Sequence, residues 1–224
     1  DVATATLGST TLALGNVRTL ATGNVGLTNT VLTGGNATYQ DNLNVVATST
    51  NAKLSFANPA NLVAGNSGNV VVTAASAGSL TGTANLALTS KVLAGTTGLN
   101  DVALAGQTVA VTGAAYDYGN AVIADTTVAF GNIHLGSAVV TRNLSVANTT
   151  ITSATYQDNL TATATAVTGL SVNTLSEMAA GSSGNLVFTA SAAAAGSLAG
   201  SVNFSLNSTN TVSGLDAKAL TTSA

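Results

Sequence analysis

Gln107-Thr108-Val109-Ala110-Val111-Thr112-Gly113-Ala114-Ala115-Tyr116 decides how this chain is read. Its side chains alternate. Val109, Val111 and Ala115 fall on one face, and Thr108, Ala110 and Thr112 on the other, which is the period of a β-strand with one face buried. The stretch closes the first of two repeated units. The second unit reaches Thr221-Thr222-Ser223-Ala224 where its own copy is due to begin. One unit reads as complete and the other as one strand short.

The repeat is explicit. Thr11-Leu12-Ala13-Leu14-Gly15-Asn16 returns 116 residues later as Thr127-Val128-Ala129-Phe130-Gly131-Asn132. Ala37-Thr38-Tyr39-Gln40-Asp41-Asn42-Leu43 returns unchanged as Ala154-Thr155-Tyr156-Gln157-Asp158-Asn159-Leu160, after 117 residues. Ala64–Val70 matches Ala180–Leu186, Ala77-Gly78-Ser79-Leu80 matches Ala195-Gly196-Ser197-Leu198, and Gly98-Leu99 matches Gly214-Leu215. Conserved order at a nearly constant spacing is the mark of tandem domains. The expected division is 1–116 and 117–224, with a junction near Asp117–Ala124.

Within each unit, short alternating runs are separated by Gly, Asn and Ser. The first holds Thr11–Leu14, Asn24–Asn29, Lys53–Phe56, Asn69–Ala74, Asn85–Leu88 and Gln107–Thr112. The second holds Thr127–Phe130, Asn143–Ala147, Leu170–Val172, Leu186–Ala190 and Val202–Leu206. This predicts an all-β chain of two tandem immunoglobulin-like β-sandwich domains, the second lacking its last strand. Tyr39–Leu43 is expected to cross between sheets. Ala192–Ala195 aligns with a turn of the first unit and reads as a longer hairpin loop.

Hydrophobic residues make up 46% of the chain and charged residues only 6%, the reverse of a disordered composition. A surface built from Thr, Asn, Ser and Gly suits a secreted or surface-exposed bacterial protein. Arg18, Lys53, Lys91, Arg142 and Lys218 are scattered, so no basic stripe exists to meet phosphates, which argues against nucleic acid. The absence of cysteine excludes disulfides and thiolate chemistry. No apolar run reaches the roughly 18 residues that a membrane helix needs. A start at Asp1 without Met is what a mature or excised segment would show.

Phe130-Gly131-Asn132-Ile133 followed by Leu144-Ser145-Val146-Ala147-Asn148-Thr149 resembles the bacterial choice-of-anchor D repeat, one of the ASH/PapD-like group of immunoglobulin-like sandwiches. Gly98-Leu99 leading to Gln107–Tyr116 resembles that family's closing strand, and the likeness extends over most of both units. It implies a large secreted or surface-anchored protein and brings no catalytic residues. The chain departs from the pattern at its end, where the second closing strand is absent.

No constellation suggests catalysis or a cofactor. His134 is the only histidine, and no Gly-x-Ser-x-Gly elbow accompanies it, so it reads as a surface side chain. Asp41 and Asp158 occur once per domain and read as caps of backbone N–H groups in the crossover, with Tyr39 and Tyr156 as its anchors. Asp101, Asp117, Asn120 and Asp125 gather near the junction and are weak calcium candidates, since their spacing matches no known loop. With four Tyr, four Phe and no Trp, aromatic binding platforms are scarce.

A sandwich without the counterpart of Gln107–Tyr116 would leave a sheet edge open, and such edges template pairing with another chain. Three ways of filling it are expected. A second copy could donate a strand, with Asp1, Val2, Thr4, Thr6 and Leu7 as donor and Val202, Phe204, Leu206 and Leu215 as acceptor edge. The natural chain could continue past Ala224. Or a shorter strand from Leu215 to Thr222 could close the unit. The first makes the protein a homopolymer subunit of an extracellular filament, pilus-like fibre or sheath, because head-to-tail donation does not close. The second makes it a stalk of a larger adhesin.

Overall fold

Alternation is what the strands obey. In the computed structural model, which describes residues 1–95, 98–165, 168–191 and 200–221, the first unit spans Asp1–Ala115. Its strands are β1 (Ala5–Leu7), β2 (Thr11–Arg18), β3 (Thr22–Asn29), β4 (Asn42–Ser49), β5 (Leu54–Ala57), β6 (Ser67–Ala74), β7 (Gly78–Ser79), β8 (Gly82–Lys91) and β9 (Val102–Tyr116). One sheet has the order β1-β3-β6-β5 and the other β2-β9-β8-β4, with β7 also on β9. The inward residues of each are aliphatic. Val25, Leu27, Val70 and Val72 from the first sheet share one core with Val45, Leu86, Leu88, Val109 and Val111 from the second. This is the sandwich arrangement, two sheets joined by the apolar faces that a period of two creates.

The chain passes between sheets through a 3-10 turn at Ala37–Tyr39, between β3 and β4, so the crossover expected at Tyr39–Leu43 is where the sequence puts it. β9 is a central strand, flanked by β2 and β8. Ala110 N–H donates to Thr10 C=O at 2.8 Å on one side, and Ala84 faces Val109 on the other. Gly113 lets β9 run past β2. Its φ is +146°, and a Cβ there would lie 2.5 Å from the carbonyl oxygen of Gly15. An alanine cannot be placed so without moving backbone.

The second unit spans Tyr116–Ala224, and its first residue is the last of β9. It contains β10 (Ala121–Ile123), β11 (Val140–Asn148), β12 (Leu160–Ala164), β13 (Leu170–Val172), β14 (Leu175–Met178), β15 (Ser183–Ala190), β16 (Phe204–Ser208) and β17 (Lys218–Leu220). The sheets are β10-β11-β15-β13 and β14-β12-β16-β17. β11 passes to β12 through a second 3-10 turn, Ala154–Tyr156, and thus again from one sheet to the other. The core holds Leu144, Val146, Leu160, Leu186, Phe188 and Leu206. The loop expected at Ala192–Ala195, the repeat segment Ala195–Leu198 and the end Thr222–Ala224 lie outside the described residues.

Two expectations need correction. Thr127–Phe130 is not a strand, although its sequence repeats β2. The second unit also possesses the start of a closing strand. β17 pairs Leu206↔Leu220 and Ser208↔Lys218, in the register of Leu88↔Leu104 and Ser90↔Val102 in the first unit. What has no described counterpart is therefore narrower than the sequence predicts: the portion of β9 from Gln107 onward.

Gly113→Ala is expected to destabilise the first unit by about 2–4 kcal/mol, since it forces positive-φ strain and a backbone clash together. Urea unfolding with a probe in each unit checks this, and the second unit's midpoint should stay where it is.

Candidate functional site

The residues that sequence alone marks for chemistry are not assembled for it. His134 is exposed, and its carbonyl accepts from Ser137 N–H at 3.1 Å. Among the described residues no group of three or more His, Cys, Asp or Glu is placed to hold a metal. Of the calcium candidates, Asp101 belongs to the first unit and pairs with Lys91, whose ammonium holds the carboxyl below the usual carboxylate range. Asp117 is buried, Asn120 Nδ2 donates to Thr149 Oγ1 at 2.6 Å, and Asp125 is exposed.

The structure instead organises the duplicated Tyr-Gln-Asp-Asn-Leu segments into a buried polar clamp. In the first unit Gln40 is fully buried, and its Nε2 donates to Asn29 Oδ1 at 3.0 Å and to Thr30 C=O at 2.8 Å. Its Oε1 accepts from Leu32 N–H at 3.1 Å. Asn29 Nδ2 donates to the carbonyls of Asp41 and Leu62, both at 2.9 Å. The second unit repeats this closely. Gln157 Nε2 reaches Asn148 Oδ1 and Thr149 C=O at 2.9 Å, and Ile151 N–H donates to Gln157 Oε1 at 2.8 Å. Asn148 Nδ2 donates to the carbonyls of Asp158 at 3.1 Å and Met178 at 2.9 Å. Buried amides linked in this way fix the crossover with neutral groups, which avoids the desolvation cost of charge.

The clamp also binds the start of each unit. Asp1 ammonium donates to Tyr39 C=O at 2.8 Å and Asp1 C=O accepts from Asp41 N–H at 2.8 Å. Ala3 N–H donates to Ser90 Oγ and Thr4 N–H to Asn29 Oδ1. Asp117, Gly119 and Asn120 make the same bonds to Tyr156, Ser208 and Asn148. With β1 paired to β3 through Ala5↔Asn29 and Leu7↔Leu27, the supposed donor Asp1, Val2, Thr4, Thr6 and Leu7 is part of its own sandwich. The expectation of a free N-terminal arm is corrected. It fails because main-chain groups of this segment already have partners.

The roles within the segment are corrected too. Gln40 and Gln157 hold the crossover, whereas Tyr39 is 71% exposed. Tyr156 lies against Tyr116, ring centroids 5.5 Å apart. Asp41 Oδ2 accepts from Ser90 Oγ at 2.9 Å, and Asp158 accepts from Ser213 N–H and Oγ, both at 2.9 Å. The sequence assigns no clamp role to Asn29 or Asn148, although each stands at the end of matching runs, Leu27-Thr28-Asn29 and Val146-Ala147-Asn148. Glu177 was also missed. It takes a φ of +52°, and its Oε2 accepts from Thr211 Oγ1 at 2.7 Å and Thr209 Oγ1 at 3.0 Å. The hydrogen bond from the Thr211 hydroxyl, helped by Asn159 and Thr209, holds its carboxyl below the usual carboxylate range, outweighing the opposing effect of partial burial.

A further feature is a cavity of ≈ 370 Å³ in the second unit, lined by polar Thr126, Thr127 and Ser201 and by apolar Val128, Phe130, Leu144, Phe188, Val202 and Phe204. Their counterparts in the first unit are Leu12, Leu14, Val25, Val72, Ala84 and Leu86, which share a core with fully buried Val109 and Val111. The cavity thus lies where the second half of β9 would run. Of the expected acceptor edge, Val202 and Phe204 face it and are half-buried. Leu206 is already paired with Leu220, and Leu215 sits in the turn before β17.

Neither a protein-family model nor a curated protein matches the chain. Two solved structures show a distant likeness. One is domains 4–9 of the surface layer protein SbsC, 17% identical, matching 98% of this chain and 31% of that one at a TM-score of 0.28. The other is the secreted serine protease VesC from Vibrio cholerae, 15% identical, matching 80% of this chain and 45% of that one at a TM-score of 0.25. The chain therefore spans less than half the length of either, and at these scores the likeness assigns no function. The chain is an all-β protein of two tandem sandwiches.

Gln40→Ala and Gln157→Ala are each expected to cost about 2–4 kcal/mol in their own unit, because the partner amide and carbonyl groups stay buried without the side chain. Two-probe denaturant unfolding checks it. Tyr39→Ala, at an exposed position, should change stability by less than about 0.5 kcal/mol.

Proposed function

We propose that this chain is a non-catalytic structural segment of a bacterial extracellular surface protein, a run of sandwich modules that projects or spaces what it carries. The observation that carries this reading is the way β9 serves as both closing strand and connection. Val109 and Val111 fill the first core, and the residues after Tyr116 enter the second clamp with the bonds that Asp1–Thr4 make in the first. A module that ends in the next module's first bonds is suited to serial repetition. The sparse charge and the Thr/Asn/Ser-rich composition support an extracellular setting.

A filament assembled by strand exchange between copies is the second reading, favoured by the open cavity beside Val202 and Phe204. Its donor is not the N-terminal segment, which its own unit binds.

Antibodies against the chain should label intact bacteria without permeabilisation, and external protease should remove the signal. Labelling only after permeabilisation would contradict the proposal. Light scattering of the purified chain separates the two readings: a monomer over a wide concentration range is expected for a spacer, and growing polymers for a filament.

A further inference from the structure

We propose that Asn36 is a glycosylation site, its side-chain amide taking a sugar within the triplet Asn36-Ala37-Thr38. The inference goes beyond the reading of the chain as serial surface modules. Asn-x-Ser/Thr occurs six times, at Asn36, Asn143, Asn148, Asn159, Asn203 and Asn207, and in a chain so rich in these residues the motif alone is no signal. The structure separates the six. Asn148 is fully buried in the second clamp, and Asn159 Nδ2 already donates to Glu177 and Thr211. Asn143 and Asn207 lie on the ladders of β11 and β16, and the middle residues of their triplets, Leu144 and Ser208, are buried. Asn203 is followed by Phe204, which opens β16 and packs on the core. Only at Asn36 are all three residues exposed. It stands in the loop between β3 and β4, outside every ladder. A transferring enzyme must close around all three residues, and this triplet alone is open to one on the folded chain.

The loop also presents the nucleophile. Thr38 N–H donates to Asn36 Oδ1 at 2.9 Å, which fixes the amide plane and draws electron density from Nδ2 towards oxygen. No described residue accepts from Nδ2. A structural reason for this asparagine is weak. Ser153 precedes the identical run Ala154-Thr155-Tyr156-Gln157 and makes no side-chain cap bond, yet the same 3-10 turn forms. The loop is held to the fold by Gln40 instead, through Leu32 N–H and Thr30 C=O. A sugar on Asn36 would stand in solvent and disturb no buried bond. In the transfer, Nδ2 attacks the anomeric carbon of a sugar activated there by phosphate. The N–C bond forms as the C–O bond breaks, phosphate leaves with the electron pair, and Nδ2 gives up one proton.

Trypsin divides the six triplets, because cations are so few. Thr19–Lys53 contains Asn36 alone, and Asn143–Lys218 contains the other five. Mass spectrometry of the chain isolated from the bacteria that make it should find Thr19–Lys53 heavier by one or more sugar residues. Fragment ions should place the gain on Asn36, and Asn143–Lys218 should keep its bare mass. Expressed in the same cells, Asn36→Ser and Thr38→Ala should each lose the added mass, and Thr38→Ser should retain it. Asn36→Ser copies the residue of the second unit, so the first unit should melt within about 2 °C of the unaltered chain, which separates loss of the acceptor from loss of the fold. A bare Thr19–Lys53 in the native chain would overturn the proposal. So would added mass that survives Thr38→Ala, or sugar found equally on Asn143–Lys218. A chain that labels at the cell surface with Thr19–Lys53 bare refutes this inference and keeps the surface reading; a sugar-bearing chain that fails to label does the reverse.

Discussion

A strand inside a sheet must satisfy hydrogen bonds on both edges, and the structure turns on whether one such strand is present. In the first sandwich β9 lies between β2 and β8 and brings Val109 and Val111 into the core at the same time. Burying two valines is worth roughly 3–6 kcal/mol, a large part of the about 5–15 kcal/mol that keeps a domain folded. Its ladder contacts come in addition. Take that strand away and three things go together: the apolar wall is exposed, the neighbour on one side loses its ladder, and the neighbour on the other shortens. In the second unit Thr127–His134 forms no ladder and β16 begins only at Phe204, while Phe130 stays half-buried against the core.

What keeps such a unit in shape is the polar clamp at the opposite business of the fold, the crossover. Asn148 and Gln157 are fully buried and fully engaged, as Asn29 and Gln40 are in the first unit. Asn29 and Asn148 each tie together the unit's first residues, the strand before the crossover and the segment after it, and Gln40 and Gln157 hold the loop that leads to the crossover. Uncharged amides can donate and accept at once without the cost of burying an ion. That suits a chain in which only 6% of residues are charged and no disulfide is available.

Much of this was legible in the residues. The repeat placed the two units, and the alternation of Asn69–Ala74 or Leu170–Val172 marked strands that the structure contains. Other parts were not legible for physical reasons. Thr127–Phe130 has the same local pattern as Thr11–Leu14, so no local rule separates them; the difference lies in a neighbour far along the chain. Asn42–Ser49 alternates with Leu43, Val45 and Ala47 buried, so its strand was legible in the residues, whereas Ala121–Ile123 is too short to show a period and is a strand through its pairing with Val146–Asn148. Gln40 stood in view within an identical segment, but a buried glutamine reads like an exposed one until its surroundings are known. Asp1–Leu7 looked free only because terminal segments carry no sign of their bonds.

Amide hydrogen exchange on the native chain tests the central claim most directly. If the lack of a central strand among the described residues explains the second sandwich, amides of Thr127–Phe130 will exchange orders of magnitude faster than those of Thr11–Leu14, while β15 and β6 are protected alike. Equal protection of Thr127–Phe130 and Thr11–Leu14 in the isolated monomer would contradict the account.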